Sequence, residues 1–226
     1  MTRTPARYDG LAAWYDQVMT DPGDRNGLAT VAFGLVADLL GPGGGTVLDV
    51  GTGTGLSAEP LRRAGYTPVG LDLSIDQLRI ARGRLPVAQA DAARLPVADN
   101  SVPAAYSTFV ASALDDFEGA VAEIYRVLAP GGRYVSVCLH PCFDGNHAER
   151  RPDGSRVQHP GYRDVGYARP DHFSTSVRSK TGSWHRPLAV QLNTYLRTGF
   201  QLVEVAEDGT DPLPNQLAVL LRKPQR

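Results

Sequence analysis

Between Thr46 and Leu139, short apolar runs alternate with stretches in which apolar side chains recur at helical spacing, and Gly, Pro or Asp marks nearly every junction. That alternation predicts a parallel sheet whose strands are joined by crossover helices. The predicted strands are Thr46 to Val50, Pro68 to Leu71, Pro86 to Ala90, Ala104 to Val110 and Tyr134 to Leu139. The helices between them stop near Gly65, at Gly83 and at Ala129-Pro130-Gly131-Gly132. Ser74-Ile75-Asp76-Gln77 has the form of a capping box with Gln77 at its third helical position. Asp115 or Asp116 caps the helix carrying Phe117, Val121, Ile124 and Leu128 on one face.

Two helices precede this region. One spans Arg7 to Val18 with Tyr8, Leu11, Trp14 and Tyr15; the other carries Leu28, Val31, Leu35, Val36 and Leu39, and breaks at Gly41-Pro42-Gly43-Gly44-Gly45. After it, residues 140 to 185 are polar, with scattered aromatics and no sustained period, which suggests a lid or binding segment. Pro187 then opens a helix with Leu188, Leu192, Tyr195 and Leu196 inward and Gly199 as its C-terminal cap. Phe200 to Val205 and Gln216 to Leu221 complete the sheet as an antiparallel pair at its edge. The expected fold is α/β: a doubly wound seven-stranded sheet, parallel except for an antiparallel C-terminal edge strand, with N-terminal capping helices.

The 226 residues suit one domain, 1–226, with residues 1–41 as the capping helices and 140–186 as a substrate-binding insertion or lid. Twenty-three basic against twenty-four acidic side chains give no net field to attract nucleic acid or an anionic membrane. No segment approaches the ~18 consecutive apolar residues of a membrane span, and Met1 to Gly10 lacks a signal-peptide core, so a soluble cytoplasmic protein is expected. Cys138 and Cys142 alone make neither a disulfide framework nor a Cys-rich metal site, and no metal is expected. Monomer and homodimer both stay open.

The chemistry gathers at Val47-Leu48-Asp49-Val50-Gly51-Thr52-Gly53-Thr54-Gly55. Alternate glycines let backbone N–H groups approach a ligand and permit positive φ in a strand-to-helix turn. A phosphate-cradling loop would end in Gly-Lys-Ser/Thr, whereas Leu56-Ser57 follows Gly55. A dinucleotide fingerprint is satisfied literally by Gly53-Thr54-Gly55-Leu56-Ser57-Ala58, with Asp72 at ribose distance. Asp49, ahead of the first glycine, would repel a pyrophosphate; it suits a cationic group or orients the turn. Asp72 and Asp91, at the ends of the second and third strands, are placed to accept ribose hydroxyls and the adenine amine.

In these motifs the chain resembles the class I S-adenosylmethionine-dependent methyltransferases, in particular the small-molecule group described as type 11. The resemblance runs through the glycine motif, Gly70-Leu71-Asp72-Leu73-Ser74, Asp91-Ala92 and Arg126-Val127-Leu128-Ala129-Pro130-Gly131-Gly132. Tyr8-Asp9 and Tyr15-Asp16 are similar to the family's cofactor-capping helix, and Thr52 stands where Cys is common. It implies a Rossmann-like fold and S-adenosyl-L-methionine held by Tyr15, Asp49, Gly51, Thr52, Gly53, Gly55, Asp72, Leu73, Asp91, Ala92 and Phe109. The implied activity is in-line methyl transfer to a small molecule, with no nucleic acid or membrane as partner. Cyclisation or decarboxylation on the same fold, tRNA or protein methylation, and a noncatalytic regulator are the alternatives.

His140 and His185 are the candidate bases. His140 follows the fifth strand, and His185 begins a helix whose positive end keeps an imidazole neutral. His147, His159 and His172 read as solvated loop residues. Tyr162, Tyr167, Phe173 and Trp184 are candidates for an aromatic wall, and Arg163, Arg169 or Arg186 for holding an acidic group.

Overall fold

A computed structural model describes residues 6–20, 27–151, 153–169, 177–208 and 212–225. Expectations for His172 and Phe173 fall outside the described residues. Two helices, α1 (Ala12–Thr20) and α2 (Leu28–Leu40), lead into β1 (Thr46–Val50), α3 (Ala58–Arg63), β2 (Thr67–Asp72), α4 (Ile75–Ala81), β3 (Val87–Gln89), β4 (Val102–Thr108), α5 (Phe117–Val127) and β5 (Leu128–Leu139). The chain ends with α7 (Leu188–Thr198), β10 (Gln201–Glu207) and β11 (Gln216–Arg222).

Seven strands form one sheet in the order β10-β11-β5-β4-β1-β2-β3. The ladders from β5 through β3 are parallel, and β11 runs antiparallel to both β5 and β10. Strand order reverses on either side of β1, which places a crevice at the carboxyl ends of β1, β2 and β4. Val36 and Leu40 of α2 and Leu61 of α3 pack on one face with Val47, Tyr106 and Val135. Phe117, Val121 and Ile124 of α5 and Tyr195 of α7 cover the other with Leu48, Val50 and Leu71. Because neighbouring residues on a strand point to opposite faces, Asp49 shares the α2 and α3 side with Val47, whereas Val50 points the other way.

Within 140–186 the chain forms two small hairpins, which the lack of periodicity concealed. One pairs β6 (Ala148–Arg150) with β7 (Arg156–Gln158), the other β8 (Gly166–Ala168) with β9 (Ser183–His185), and α6 (Val177–Thr181) lies between β8 and β9. On α7, Gln191, Thr194 and Tyr195 are buried while Leu196 is exposed, so the helix is rotated from its apolar reading. Gln191 turns inward because its amide donates to Arg186 O at 2.8 Å and its Oε1 lies 3.6 Å from Cys138 Sγ.

Candidate cofactor-binding site

Gly51, Gly53 and Gly55 all adopt positive φ, yet three different neighbourhoods require them. A Cβ on Gly51 would stand 2.3 Å from Val110, and one on Gly55 would stand 2.5 Å from Leu85. At Gly53 the nearest atoms, on Tyr15 and Gln77, would be 3.6 and 3.8 Å away, ordinary contact distances. Packing therefore requires Gly51 and Gly55, the latter against Leu85 and Ala81, while at Gly53 only the positive φ does.

A cavity of about 320 Å³ lies above the ends of β1, β2 and β4. Gly51, Gly53, Asp72, Leu73, Asp91, Ala92, Tyr15 and Phe109 line it; Asp49, Thr52 and Gly55 do not. Asp72 is fixed by two backbone donors, Gly53 N–H at 2.8 Å and Ser74 N–H at 2.8 Å, one to each oxygen. Burial raises its pKa against the pull of those donors. Each oxygen keeps a lone pair for a hydroxyl. At Asp91, Oδ1 accepts from Ala93 N–H at 2.9 Å, folding the chain so that the carboxylate and Ala92 border the cavity. Phe109 directly follows β4 at φ 61°, a left-handed conformation that is costly for a bulky residue and here sits at the cavity wall.

Asp49 has a different position from the ligand-facing one its sequence allows. Its Oδ2 accepts from Thr52 Oγ1 at 2.7 Å and Ser57 Oγ at 2.6 Å, tying β1 to the glycine turn and the start of α3. Oδ1 is buried with no partner, and desolvation raises the pKa to about 6. The cause is strand geometry: Asp49 faces α3 beneath the turn. Thr52 likewise turns its hydroxyl down to Asp49, into room left by Gly70, where a Cβ would stand 2.7 Å from it.

The N-terminal segment covers the cavity. Arg84 holds α1 over the glycine turn, with bonds of 2.6 and 3.0 Å to the two oxygens of Asp16 and 2.7 Å to Thr54 O. Asp9 accepts from Ser74 Oγ at 2.7 Å and Gly10 N–H donates to Asp76 at 2.8 Å. Tyr8 and Tyr15 meet edge to face, centroids 5.6 Å apart, and desolvation raises the pKa of both, so both hydroxyls stay protonated. At the far end, Arg7 donates to Ala113 O at 3.0 Å and pairs with Asp115, which also accepts from Trp184 Nε1 at 2.7 Å. The fasteners Arg84 and Arg7 are long-range pairs with no local sequence signal. Val110, Ala113 and Leu114, which complete the wall, follow β4, which ends at Thr108, two residues before the strand end expected from the sequence.

Neither histidine proposed as a base borders this cavity. His140 Nε2 lies 2.7 Å from Glu207 Oε1 and its Nδ1 accepts from Cys142 N–H at 3.2 Å, so both nitrogens are engaged. His185 Nε2 donates to Tyr162 O at 2.7 Å beside a separate cavity of about 30 Å³, and desolvation lowers its pKa. His147 is buried rather than solvated, 4.5 Å from the His185 ring and 5.2 Å from that of Tyr162, with desolvation lowering its pKa. His159 is exposed, 3.3 Å from Glu149. Arg186 is buried, donating to Ala111 O and Leu114 O between Phe117 and Trp184, so it braces the cavity wall and is not offered to a substrate. Arg163 and Arg169 are exposed and, like Tyr162, Tyr167 and Trp184, lie outside the cavity lining. The aromatic surface comes from Tyr8, Tyr15 and Phe109 instead.

Residues 48–136 match a family model described as a methyltransferase domain. A solved S-adenosylmethionine-dependent methyltransferase from Mesorhizobium loti superposes with a TM-score of 0.72 at 24% identity, over 87% of this chain and 100% of that one. The fold is that of the class I S-adenosylmethionine-dependent methyltransferases. A [4+2]-cyclase, SpnF, shares it with a TM-score of 0.61 at 21% identity, over 87% of this chain and 82% of that one. Among curated relatives, a demethylmenaquinone methyltransferase from Renibacterium salmoninarum is 36% identical over 61% of this chain and 62% of its own length. A ubiquinone/menaquinone biosynthesis C-methyltransferase, UbiE, from Desulfotalea psychrophila is 37% identical over 59% of this chain and 57% of its own length. The chain thus spans less than two thirds of these relatives. For a methyltransferase of this fold, the residues present fit a nucleoside cofactor: a cavity lined by Gly53, free acceptor capacity on Asp72 and a carboxylate at Asp91. Among the described residues, no helix is long and apolar enough to cross a membrane.

Proposed function

We propose that the chain is an S-adenosylmethionine-dependent methyltransferase acting on a small molecule, and that residues 140–186 border its acceptor side. The observation that carries this reading is the Asp72–Gly53 arrangement, a half-buried carboxylate bonded to the backbone N–H of a glycine, both of them lining the cavity. When bound, the cofactor supplies a methyl group activated by a sulfonium. Asp72 accepts the ribose hydroxyls and Asp91, with Ala92 beside it, takes the adenine edge. Tyr8 and Tyr15 cover the site and exclude water, and their ring faces favour a cation. Gly51, Leu73 and Phe109 shape the walls, while Asp49 and Thr52 act on the turn from below.

The acceptor approaches over Val110, Ala113 and Leu114, an apolar rim. Among the described residues no histidine reaches it, and Asp115 is held by Trp184 and Arg7, which keep its carboxyl below its ordinary pKa against desolvation. Alignment therefore carries most of the rate, where effective molarities of about 10⁵ M or more are attainable. The acceptor must give up its proton readily, as a phenol or the activated ring carbon of a hydroquinone does. The names of the quinone-methylating relatives favour the second. We assign His140 and His185 to holding the 140–186 segment in place, not to proton transfer.

The test is incubation with methyl-labelled S-adenosylmethionine and a reduced, demethylated naphthoquinone. Label on the quinone carbon is expected. Label on tRNA or protein instead would overturn the small-molecule assignment, and a product of unchanged mass would point to nonmethylating chemistry. Stabilisation by NAD but not by S-adenosylhomocysteine would overturn the cofactor.

A further inference from the structure

β10 is the outermost strand of the sheet, bonded to β11 on one side and, among the described residues, to no strand on the other. An open edge is ordinarily protected by lysine, by proline or by brevity. β10 has none of these: its seven residues, Gln201-Leu202-Val203-Glu204-Val205-Ala206-Glu207, include no lysine or proline, and the one irregularity, between Leu202 and Glu204, leaves 204–207 in regular register. Its apolar side chains are uncovered as well. Leu202 is 39% exposed and Val203 and Val205 are each 46% exposed, whereas the adjoining strand β11 is buried over 216–221.

Helix α7 extends this strip. Leu202, Val205 and Glu207 pair with Leu221, Val219 and Leu217, so all three point to the α7 side of the sheet. On α7, Val190 and Arg197 stand two turns apart on one line, nearly opposite Tyr195, which packs on Phe117 of α5. That line faces away from α5, toward the open edge, and both residues are exposed. The first turn of α7 lies level with Glu207, since Gln191 reaches Cys138 and Leu217 pairs with both Cys138 and Glu207. Arg197 lies at the other end, beside the start of β10, and enters no ion pair among the described residues. Glu207 is half exposed and meets His140 through Oε1.

An apolar strip with a cation at one end and an anion at the other is complementary to its own copy turned through a two-fold axis. With that axis normal to the sheet, β10 pairs antiparallel with its copy, and Arg197 of each chain meets Glu207 of the other. Centring the pair on Val205 sets that side chain against its own copy and Glu204 against Ala206, so no like charges stand directly opposite. We propose that the chain forms a two-fold dimer through β10 and α7, joining the two seven-stranded sheets edge to edge.

Analytical ultracentrifugation of the whole chain from about 1 to 100 µM tests it. The wild type should be dimeric at the upper end of that range. Val205→Lys, which puts a charge at the centre of the edge, should be monomeric throughout and should bind S-adenosylhomocysteine as the wild type does, because neither β10 nor α7 lines the cofactor cavity. Arg197→Glu and Glu207→Lys should each weaken the dimer about tenfold or more when alone, and an equimolar mixture of the two should recover it, because every contact then joins opposite charges. That mixture serves if Val205→Lys folds poorly. A wild type that stays monomeric overturns the proposal and leaves the strip to a different protein. A dimer that these substitutions leave unchanged overturns it in favour of another face, and a mixture that stays monomeric overturns the Arg197–Glu207 pairing on which the two-fold rests. Each of those outcomes leaves the cofactor reading untouched.

Discussion

The cavity floor and the histidine cluster of residues 140–186 are both buried polar regions, built on opposite protonation logic. The floor buries carboxylates, and desolvation pushes Asp49 and Asp72 up. The cluster buries imidazoles, and desolvation pushes His147 and His185 down. Both leave atoms unpartnered: Asp49 Oδ1 and the Gln77 amide in one, His147 Nδ1 in the other. Only the floor opens onto a cavity large enough for a nucleoside. Buried polarity alone therefore does not locate the site; polarity facing open space does.

The largest contrast should come from deleting one anchor in each region. Asp72→Ala strips the acceptor from two backbone N–H groups and the ligand, and should weaken S-adenosylhomocysteine binding by about 100-fold or more. His185→Ala should leave that affinity within about twofold. Equal losses in calorimetry would break the division between the regions.

Two glycines sharpen it next. Gly51→Ala forces a methyl into Val110 on a left-handed backbone and should cost about 3 kcal/mol in denaturant unfolding. Gly53→Ala meets no such wall and should cost about 1 kcal/mol, with the greater harm falling on ligand affinity.

The pH dependences should have opposite signs. Asp49 has a folded pKa of about 6, above its unfolded value near 4, so its contribution is fully present below about pH 4 and lost as pH rises through 6. Asp49→Asn should flatten that fall, a relative gain on the order of 2 kcal/mol at pH 8, seen in urea melts across pH. His147 and His185 have folded values below their unfolded ones, so their contribution is present above about pH 6.5 and lost on acidification through the lower folded values. Limited proteolysis should cut 140–186 faster at pH 5 than at pH 7.5, and His147→Gln should blunt the difference. The smallest effect is Arg7→Ala, which loosens the contact with Asp115 and should cost under about 1 kcal/mol while raising hydrogen exchange at residues 6–10.

Much of the floor was legible in the chain. The strand-turn-helix at Gly51 to Gly55 and the acids closing β2 and following β3 are local patterns, and a parallel sheet brings strand ends to one rim by construction. The capping box at Ser74 was legible too, but only half of it forms, since Asp72 competes for the same N–H. His147 looked solvated and is buried; Arg186 looked available and is enclosed; Leu196 looked inward and is exposed. Each of those depends on partners tens of residues away.

Local order, then, was determined by the sequence itself: which segments are strands, where glycine must turn the chain, which carboxylates end a strand. These follow from backbone sterics and periodicity within a few residues. Only the tertiary structure decided direction and company. It turned Asp49 under the loop, carried the histidines behind the cavity wall, and left the Gln77 amide without a partner at that wall. Burial and hydrogen-bond competition are properties of the packed whole, because a polar group is satisfied or stranded only once every neighbour has taken its place.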